Sequence, residues 1–198
     1  NVPVVSVSVS VRNGGINEEM SEKGISHYIE HMLYKGTEKR TAKDISHEIE
    51  KVGGELNGFT SEDVTSFWCK MPSKNINIAL DVLGDIVTNP KFNFEELEKE
   101  RKVIFEEMKM RKDNPHIYVF DKIQSFLYSG TLGADLIGTV DSMNSISRDK
   151  ILEKFNSVYT PNNMILTVVG NMEFDSLIKW AEKYFVKKSS KIKEFEVK

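Results

Sequence analysis

Two histidines and a glutamate lie close together near the start of the chain, in the segment His27-Tyr28-Ile29-Glu30-His31. If this segment is helical, residues three and four apart project from one face, so His27, Glu30 and His31 point the same way. Two imidazoles one turn apart can bind one divalent cation, and a carboxylate beside them that is not a ligand can accept a proton from activated water. The segment therefore predicts a metal site suited to hydrolysis.

Such a site needs a third protein ligand that leaves one position open for water. The segment 94–112 contains no glycine or proline and is dense in Glu, Lys, Arg and Met, which predicts the longest helix. Glu100 and Glu107 are seven residues apart and so share one helical face, whereas Glu106 points about 100 degrees away. One of the pair could bind the metal while the other orients a ligand, and spacing alone does not decide between them.

The elements that must position these side chains follow from hydrophobic periodicity. Helical spacing of apolar residues predicts helices over about 22–34, 41–52, 75–87, 94–112, 117–128, 147–159 and 175–185. Strands are predicted over 5–11, 56–60, 64–71 and 164–170, of which the first alternates valine with serine and the middle two form a hairpin. Helices and strands mix without strict alternation, which favours an α+β fold with a mostly antiparallel sheet flanked by helices.

Composition excludes several classes of protein. The 198 residues are 39% hydrophobic and 29% charged, which is typical of a globular domain. The net charge of −3 gives no general attraction to nucleic acid or to an anionic membrane, so neither is an expected partner. Cys69 is the single cysteine, so no intrachain disulfide can form, and no run approaches the roughly 18 apolar residues of a membrane span. A reducing compartment fits, either a bacterial cytoplasm or, as the alternative, the mitochondrial matrix.

Longer motifs carry a family resemblance. The stretch Gly24–Thr37, GISHYIEHMLYKGT, resembles the pitrilysin/insulinase family, most closely its processing-peptidase branch, and contains the inverted H-x-x-E-H form of the zincin motif. Further matches are Gly53-Gly54-Glu55-Leu56-Asn57 with Phe59-Thr60, then Glu100-Arg101 with Glu106-Glu107, then Tyr159-Thr160-Pro161-Asn162-Asn163-Met164 with Gly170-Asn171. These motifs occur in the family's order over nearly the whole chain.

The resemblance implies a zinc-dependent endopeptidase that hydrolyses peptide bonds in extended or unfolded segments. By position, His27, His31 and Glu107 match the zinc ligands of the family. Glu30 matches its general base, and Glu100 matches a nearby glutamate that supports the active site. Manganese or cobalt could replace zinc in a site with these ligands.

The resemblance also implies a peptide-binding strand. Residues 56–60 match an edge strand along which peptide substrates add to the sheet through main-chain hydrogen bonds. Asn57, Gly58 and Phe59 are therefore expected to bind substrate. Gly58 departs from the alanine usual at this position and is expected to loosen the strand.

The match covers only the first half of the family's architecture, in which two similar halves close around the substrate. We therefore expect an N-terminal catalytic domain over residues 1–186, followed by a linker stub over 187–198 toward a second domain or a separate partner chain. An isolated half could be inactive, because half of the substrate enclosure is missing.

Two alternatives are a non-catalytic peptide-binding or assembly subunit of a two-chain peptidase and a metal-dependent hydrolase of other substrates. The complete set of His27, Glu30 and His31 favours the peptidase.

Overall fold

Residues 2–185 are described by a computed structural model, and the linker predicted over 187–198 lies outside them. Within the described residues, the strands are β1 (Val4–Val11), β2 (Glu55–Thr60), β3 (Thr65–Pro72) and β4 (Met164–Gly170). The helices are α1 (Ile25–Leu33), α2 (Ala42–Glu50), α3 (Ile76–Thr88), α4 (Phe94–Asp113), α5 (Pro115–Leu127), α6 (Val140–Ser145), α7 (Arg148–Val158) and α8 (Phe174–Phe185). The α+β class is confirmed, and α6 is a helix that the sequence analysis did not predict.

The four strands form one sheet in the order β2-β3-β1-β4. Every neighbouring pair is antiparallel, with Val4 opposite Pro72 at one end of the β1–β3 pair and Thr60 opposite Thr65 beside the turn of the β2–β3 hairpin. The predicted antiparallel arrangement is therefore confirmed. Within the described part of the chain, β2 and β4 are the two edge strands of the sheet.

The alternation of valine and serine in β1 separates the two faces of the sheet. Val5, Val7, Val9 and Val11 are fully buried, whereas the serines between them point to the other face. The valine side belongs to a core that also contains residues of α1, α3, α4 and α7. Burial of this apolar surface is the main force that holds the helices on the sheet.

Helix α1 is fixed at its start and along its inner face. The buried Glu18 carboxylate accepts hydrogen bonds from the backbone N–H groups of Gly24 (3.0 Å) and Ser26 (2.7 Å), which satisfies donors at the helix N-terminus. Tyr28 and Ile29 are fully buried on the face of α1 that packs against the core. This arrangement orients His27, Glu30 and His31 away from the core.

Helix α4 packs beside α1 and carries the acidic residues of the candidate site. The side chain of Asn93 caps its first turn, accepting from the backbone N–H groups of Glu95 and Glu96. Tyr28 of α1 donates a 2.5 Å hydrogen bond to the carbonyl oxygen of Leu97, which joins the two helices near the middle of the contact. The buried positions of α4 are Leu97, Glu100, Ile104 and Met108. This face, which includes Glu100, therefore turns toward the rest of the domain.

Candidate metal centre

Three side chains from α1 and α4 meet at one point. The Nε2 atoms of His27 and His31 are 3.3 Å apart. Glu107 Oε2 lies 3.6 Å from the Nε2 of His27 and 3.7 Å from that of His31. The structure thus brings together the three predicted metal ligands as the corners of a nearly equilateral triangle.

The dimensions of this triangle suit a small divalent cation. Ligand atoms at the corners of a tetrahedron with metal bonds of about 2.0–2.1 Å lie about 3.3–3.4 Å apart. The observed edges of 3.3, 3.6 and 3.7 Å need only slight contraction to reach that spacing. The side chains of His31 and Glu107 are 21% and 28% exposed, so solvent reaches the group and a fourth position stays accessible.

Glu100 lies behind His31 and not at the centre of the triangle. Its Oε2 is 3.1 Å from His31 Nδ1, and its Oε1 is 2.7 Å from the ammonium nitrogen of Lys35. Burial raises the pKa of Glu100, but its hydrogen bonds with His31 and Lys35 outweigh burial and leave the pKa lowered. A carboxylate on the second nitrogen of a ligating histidine fixes the ring. These contacts support a role for Glu100 in positioning a ligand and not in binding the metal itself.

The surroundings shift the pKa values of the two imidazoles in opposite directions. Burial, with the charge of His31, lowers the pKa of His27 to about 4. Burial also lowers the pKa of His31, but hydrogen bonds with Glu100 and Glu107 outweigh it and raise the pKa to about 9. The hydrogen bond with His31 lowers the pKa of Glu107 in turn. A cation at the centre would replace the proton that the rings hold, because ligating histidines are neutral.

Glu30 carries a carboxylate that lies beside the three candidate ligands and is not one of them. It lies between the two histidines on α1, and Thr60 Oγ1 donates a 2.6 Å hydrogen bond to its Oε2. Burial raises the pKa of Glu30, although the hydrogen bond from Thr60 and the charge of His31 oppose the shift. A partly buried carboxylate with a raised pKa beside a metal site can accept and return a proton.

The predicted substrate strand lies beside this carboxylate. Strand β2 is an edge strand, so one side of its backbone faces away from the sheet. Asn57 and Phe59 are exposed, and Asn57 Oδ1 accepts a 2.8 Å hydrogen bond from the backbone N–H of Gly58. Gly58 and Thr60 point to the opposite face, toward α1. The structure therefore places β2 beside α1, with Gly58 against the residue that follows the helix and with Asn57 and Phe59 on the exposed face of the strand.

Sequence reasoning missed three contact residues of this region. Lys35 pairs with Glu100, Thr60 with Glu30, and the hydroxyl of Tyr34 lies under Gly58. Period-two alternation along β2 places residues 58 and 60 on one face and could have indicated Thr60. The contacts of Lys35 and Tyr34 depend on how α1 packs against α4 and β2, which leaves no local signal.

No helix within residues 2–185 combines the length and the apolar character that crossing a membrane would require.

Two histidines and a glutamate around one point, with the carboxylate of Glu30 on the same helix as the histidines, form a candidate metal centre on an α+β fold. A family model described as "Insulinase (Peptidase family M16)" matches residues 1–140. A second, described as "Peptidase M16 inactive domain", matches residues 145–197. The chain belongs to the insulinase family of peptidases, family M16, and the resemblance inferred from the motifs is confirmed.

Individual relatives agree with this assignment. The chain is 36% identical over 182 residues to the uncharacterized zinc protease YmxG of Bacillus subtilis (strain 168), covering 91% of this chain and 44% of the relative. It is 34% identical over 184 residues to the beta subunit of the mitochondrial-processing peptidase of Dictyostelium discoideum, covering 92% and 39%. The chain thus spans less than half the length of these relatives.

A solved structure shares the fold. A protease from Helicobacter pylori superposes with a TM-score of 0.86 at 24% identity, over 95% of this chain and 47% of the other. The similarity extends across the described sheet and helices, although the two family matches meet between residues 140 and 145. Strand β4 lies in the second matched region and pairs with β1 from the first, so both regions contribute to one sheet.

Proposed function

We propose that this chain is the zinc-binding domain of an endopeptidase that hydrolyses peptide bonds in extended peptides or unfolded segments. The observation that best supports the proposal is the triangle of His27 Nε2, His31 Nε2 and Glu107 Oε2, with edges of 3.3–3.7 Å, beside the free carboxylate of Glu30. Two nitrogen donors and one carboxylate oxygen form a donor set found in catalytic zinc sites. The names of relatives as zinc proteases support zinc as the cation.

In the proposed mechanism, His27, His31 and Glu107 would hold the cation, and Glu100 would keep the ring of His31 in place. Zinc held there would supply Lewis acidity toward a water molecule and the scissile carbonyl. Glu30 accepts a proton from the attacking water as its oxygen bonds to the carbonyl carbon. Glu30 then returns that proton to the amide nitrogen as the carbon–nitrogen bond breaks. The products are a carboxylic acid and an amine.

The peptide would bind along the outer edge of β2. An extended chain that pairs with an edge strand gains main-chain hydrogen bonds and is read more by its backbone than by its side chains. The N–H of Gly58 would exchange its bond with the Asn57 side chain for a bond with the peptide. Because Thr60 at the end of β2 bonds Glu30, a peptide on this edge would lie close to the proposed base.

A second half-domain or partner chain would complete the enclosure. The relatives are more than twice as long as the matched region, which supports such a partner. Helix α5 presents exposed apolar side chains, including Phe120, Phe126 and Leu127, at a surface a partner could cover. Under this proposal residues 1–186 form the catalytic domain and 187–198 lead to the second half.

The location would be a bacterial cytoplasm or, alternatively, the mitochondrial matrix, since relatives include both bacterial and mitochondrial proteins.

The proposal is tested with Glu30→Gln and His31→Ala, measured in the chain assembled with its second half. Glu30→Gln should retain stoichiometric zinc and abolish cleavage of a quenched peptide, whereas His31→Ala should lose the metal. Glu106→Gln is the matched control, because Glu106 is exposed on the same helix as Glu107 and pairs only with Lys109 among the described residues. Stoichiometric zinc without peptidase activity in the parent assembly would favour the non-catalytic subunit instead.

A further inference from the structure

Strand β2 contacts the metal-binding helix at two positions. Thr60 donates its hydroxyl hydrogen bond to Glu30. Two residues earlier on the strand, the backbone of Gly58 lies against the hydroxyl of Tyr34. Tyr34 directly follows α1 and keeps a helical backbone conformation, with φ −85° and ψ −6°. The same segment of helix therefore carries both partners of β2.

The spacing of these contacts matches on the two elements. Four residues of helix, from Glu30 to Tyr34, advance about 6 Å. Two residues of strand, from Gly58 to Thr60, advance about 6.7 Å. A slip of β2 by one residue would turn the exposed side chains of Asn57 and Phe59 toward α1. A slip by two would place a side chain against the Tyr34 hydroxyl, so this register alone joins both pairs.

Gly58 is required at its position for room and not for backbone conformation. It is absent from the glycines with positive φ, and an added Cβ would overlap the hydroxyl oxygen of Tyr34. The Tyr34 ring packs against the buried Phe67, with the two ring centroids 5.8 Å apart. Its hydroxyl is buried and has no hydrogen-bond partner among the described residues. The hydroxyl thus occupies the volume that a side chain at position 58 would need.

We propose that Tyr34 and Gly58 form a complementary pair that fixes the register of β2 on α1, and with it the position of a bound peptide relative to Glu30 and the metal ligands. The inference rests on the proposed function, since it concerns the strand on which the peptide would lie. Both are positioning residues.

The test compares Gly58→Ala, Tyr34→Phe and the double variant in the assembled peptidase. Gly58→Ala should raise KM about tenfold and also lower kcat, with zinc content nearly unchanged, because a displaced strand binds peptide poorly and no longer holds it in line with Glu30. Adding Tyr34→Phe should recover most of this loss. Recovery should be incomplete, since the Cβ would still lie 2.9 Å from the carbonyl oxygen of Ser66. Tyr184→Phe is the control, because the hydroxyl of this α8 tyrosine bonds the exposed Lys183, and it should change neither constant.

Hydrogen exchange of the β2 backbone amides gives a readout that needs no activity. Exchange should accelerate in Gly58→Ala and slow again in the double variant. If the Gly58→Ala protein does not fold but the double variant does, this rescue supports the pair. A Gly58→Ala protein with parental KM and exchange, or a double variant no better than Gly58→Ala, would overturn the inference. An inactive parent assembly would refute the proposed function, and the exchange of β2 would still decide whether the pair sets the register.

Discussion

The candidate metal centre and the edge strand beside it are held by different means. The candidate ligands lie on α1 and α4, two helices joined by buried side chains and by the hydrogen bond between Tyr28 and Leu97. Strand β2 has sheet pairing on one side only, and its contacts with α1 and the residue after it include Thr60 with Glu30 and Gly58 with Tyr34. Changes in α4 should therefore act on the metal, whereas changes in β2 should act on catalysis and leave the metal bound.

Replacing Glu107 by alanine should have the largest effect, and this effect is on zinc affinity. This change removes one of the three atoms around the proposed cation. Zinc affinity should fall more than about 100-fold, beyond the range observed when only an outer partner of a ligand is lost. A competition titration with a chromophoric chelator measures this affinity. Unchanged affinity would show that Glu107 is not a ligand, while Glu106→Ala should match the parent protein.

Replacing Glu100 by alanine should have a smaller effect on the same quantity. The variant frees the ring of His31 and leaves Lys35 without its carboxylate partner, but all three candidate ligands remain. Loss of such an outer partner typically lowers metal affinity about 10- to 100-fold. The same chelator titration applies. A loss as large as that in Glu107→Ala would reverse the roles given to the two glutamates.

Glu100 and Glu107 also show which features of the candidate site can be predicted from the sequence. The spacing of His27, Glu30 and His31 was enough to predict a helical face with metal-binding chemistry, because that geometry is local. Glu100 and Glu107 share one face of α4, so the choice between them depends on where α1 crosses that helix. This crossing is set by buried contacts such as that of Tyr28 with Leu97, which no spacing in the chain reveals. The role of each ligand remains a prediction.

Among the helices and strands, those with strong local sequence patterns were predicted most accurately. The alternating valines of β1 and the long charged segment of α4 predicted their elements to within a residue at each end. Helix α5 begins two residues before its predicted start, at Pro115, where Asn114 caps the first turn. Helix α6 was missed because it has six residues and few apolar positions, although Thr139 and Ser142 form a capping box at its start.

Replacing Thr60 by valine should lower kcat about tenfold while zinc stays bound, because Glu30 loses the hydrogen bond that holds it. Valine has nearly the shape of threonine, so the strand should keep its packing. Thr60→Ser retains the hydroxyl and should restore most of the rate. Quenched-peptide kinetics with elemental analysis measure both quantities. A serine variant as slow as the valine variant would assign the loss to packing.

The smallest effect is expected for Tyr28→Phe, which removes one of the hydrogen bonds between α1 and α4. The free energy of unfolding should fall by about 1 kcal/mol, the usual contribution of a buried hydrogen bond. Urea denaturation followed by circular dichroism measures it. Zinc affinity should change only slightly, since the apolar packing between the helices remains. A large loss of affinity without loss of stability would mean that this single bond, and not the packing, sets the ligand geometry.

X-ray absorption at the zinc K-edge, on protein loaded with one equivalent of metal, identifies the atoms bound to the cation. The expected spectrum has two imidazole nitrogens and at least one oxygen at about 2.0–2.1 Å. In Glu107→Ala, any zinc still bound should have lost the carboxylate contribution. A spectrum with no imidazole scattering, or one unchanged by Glu107→Ala, would contradict the site of His27, His31 and Glu107.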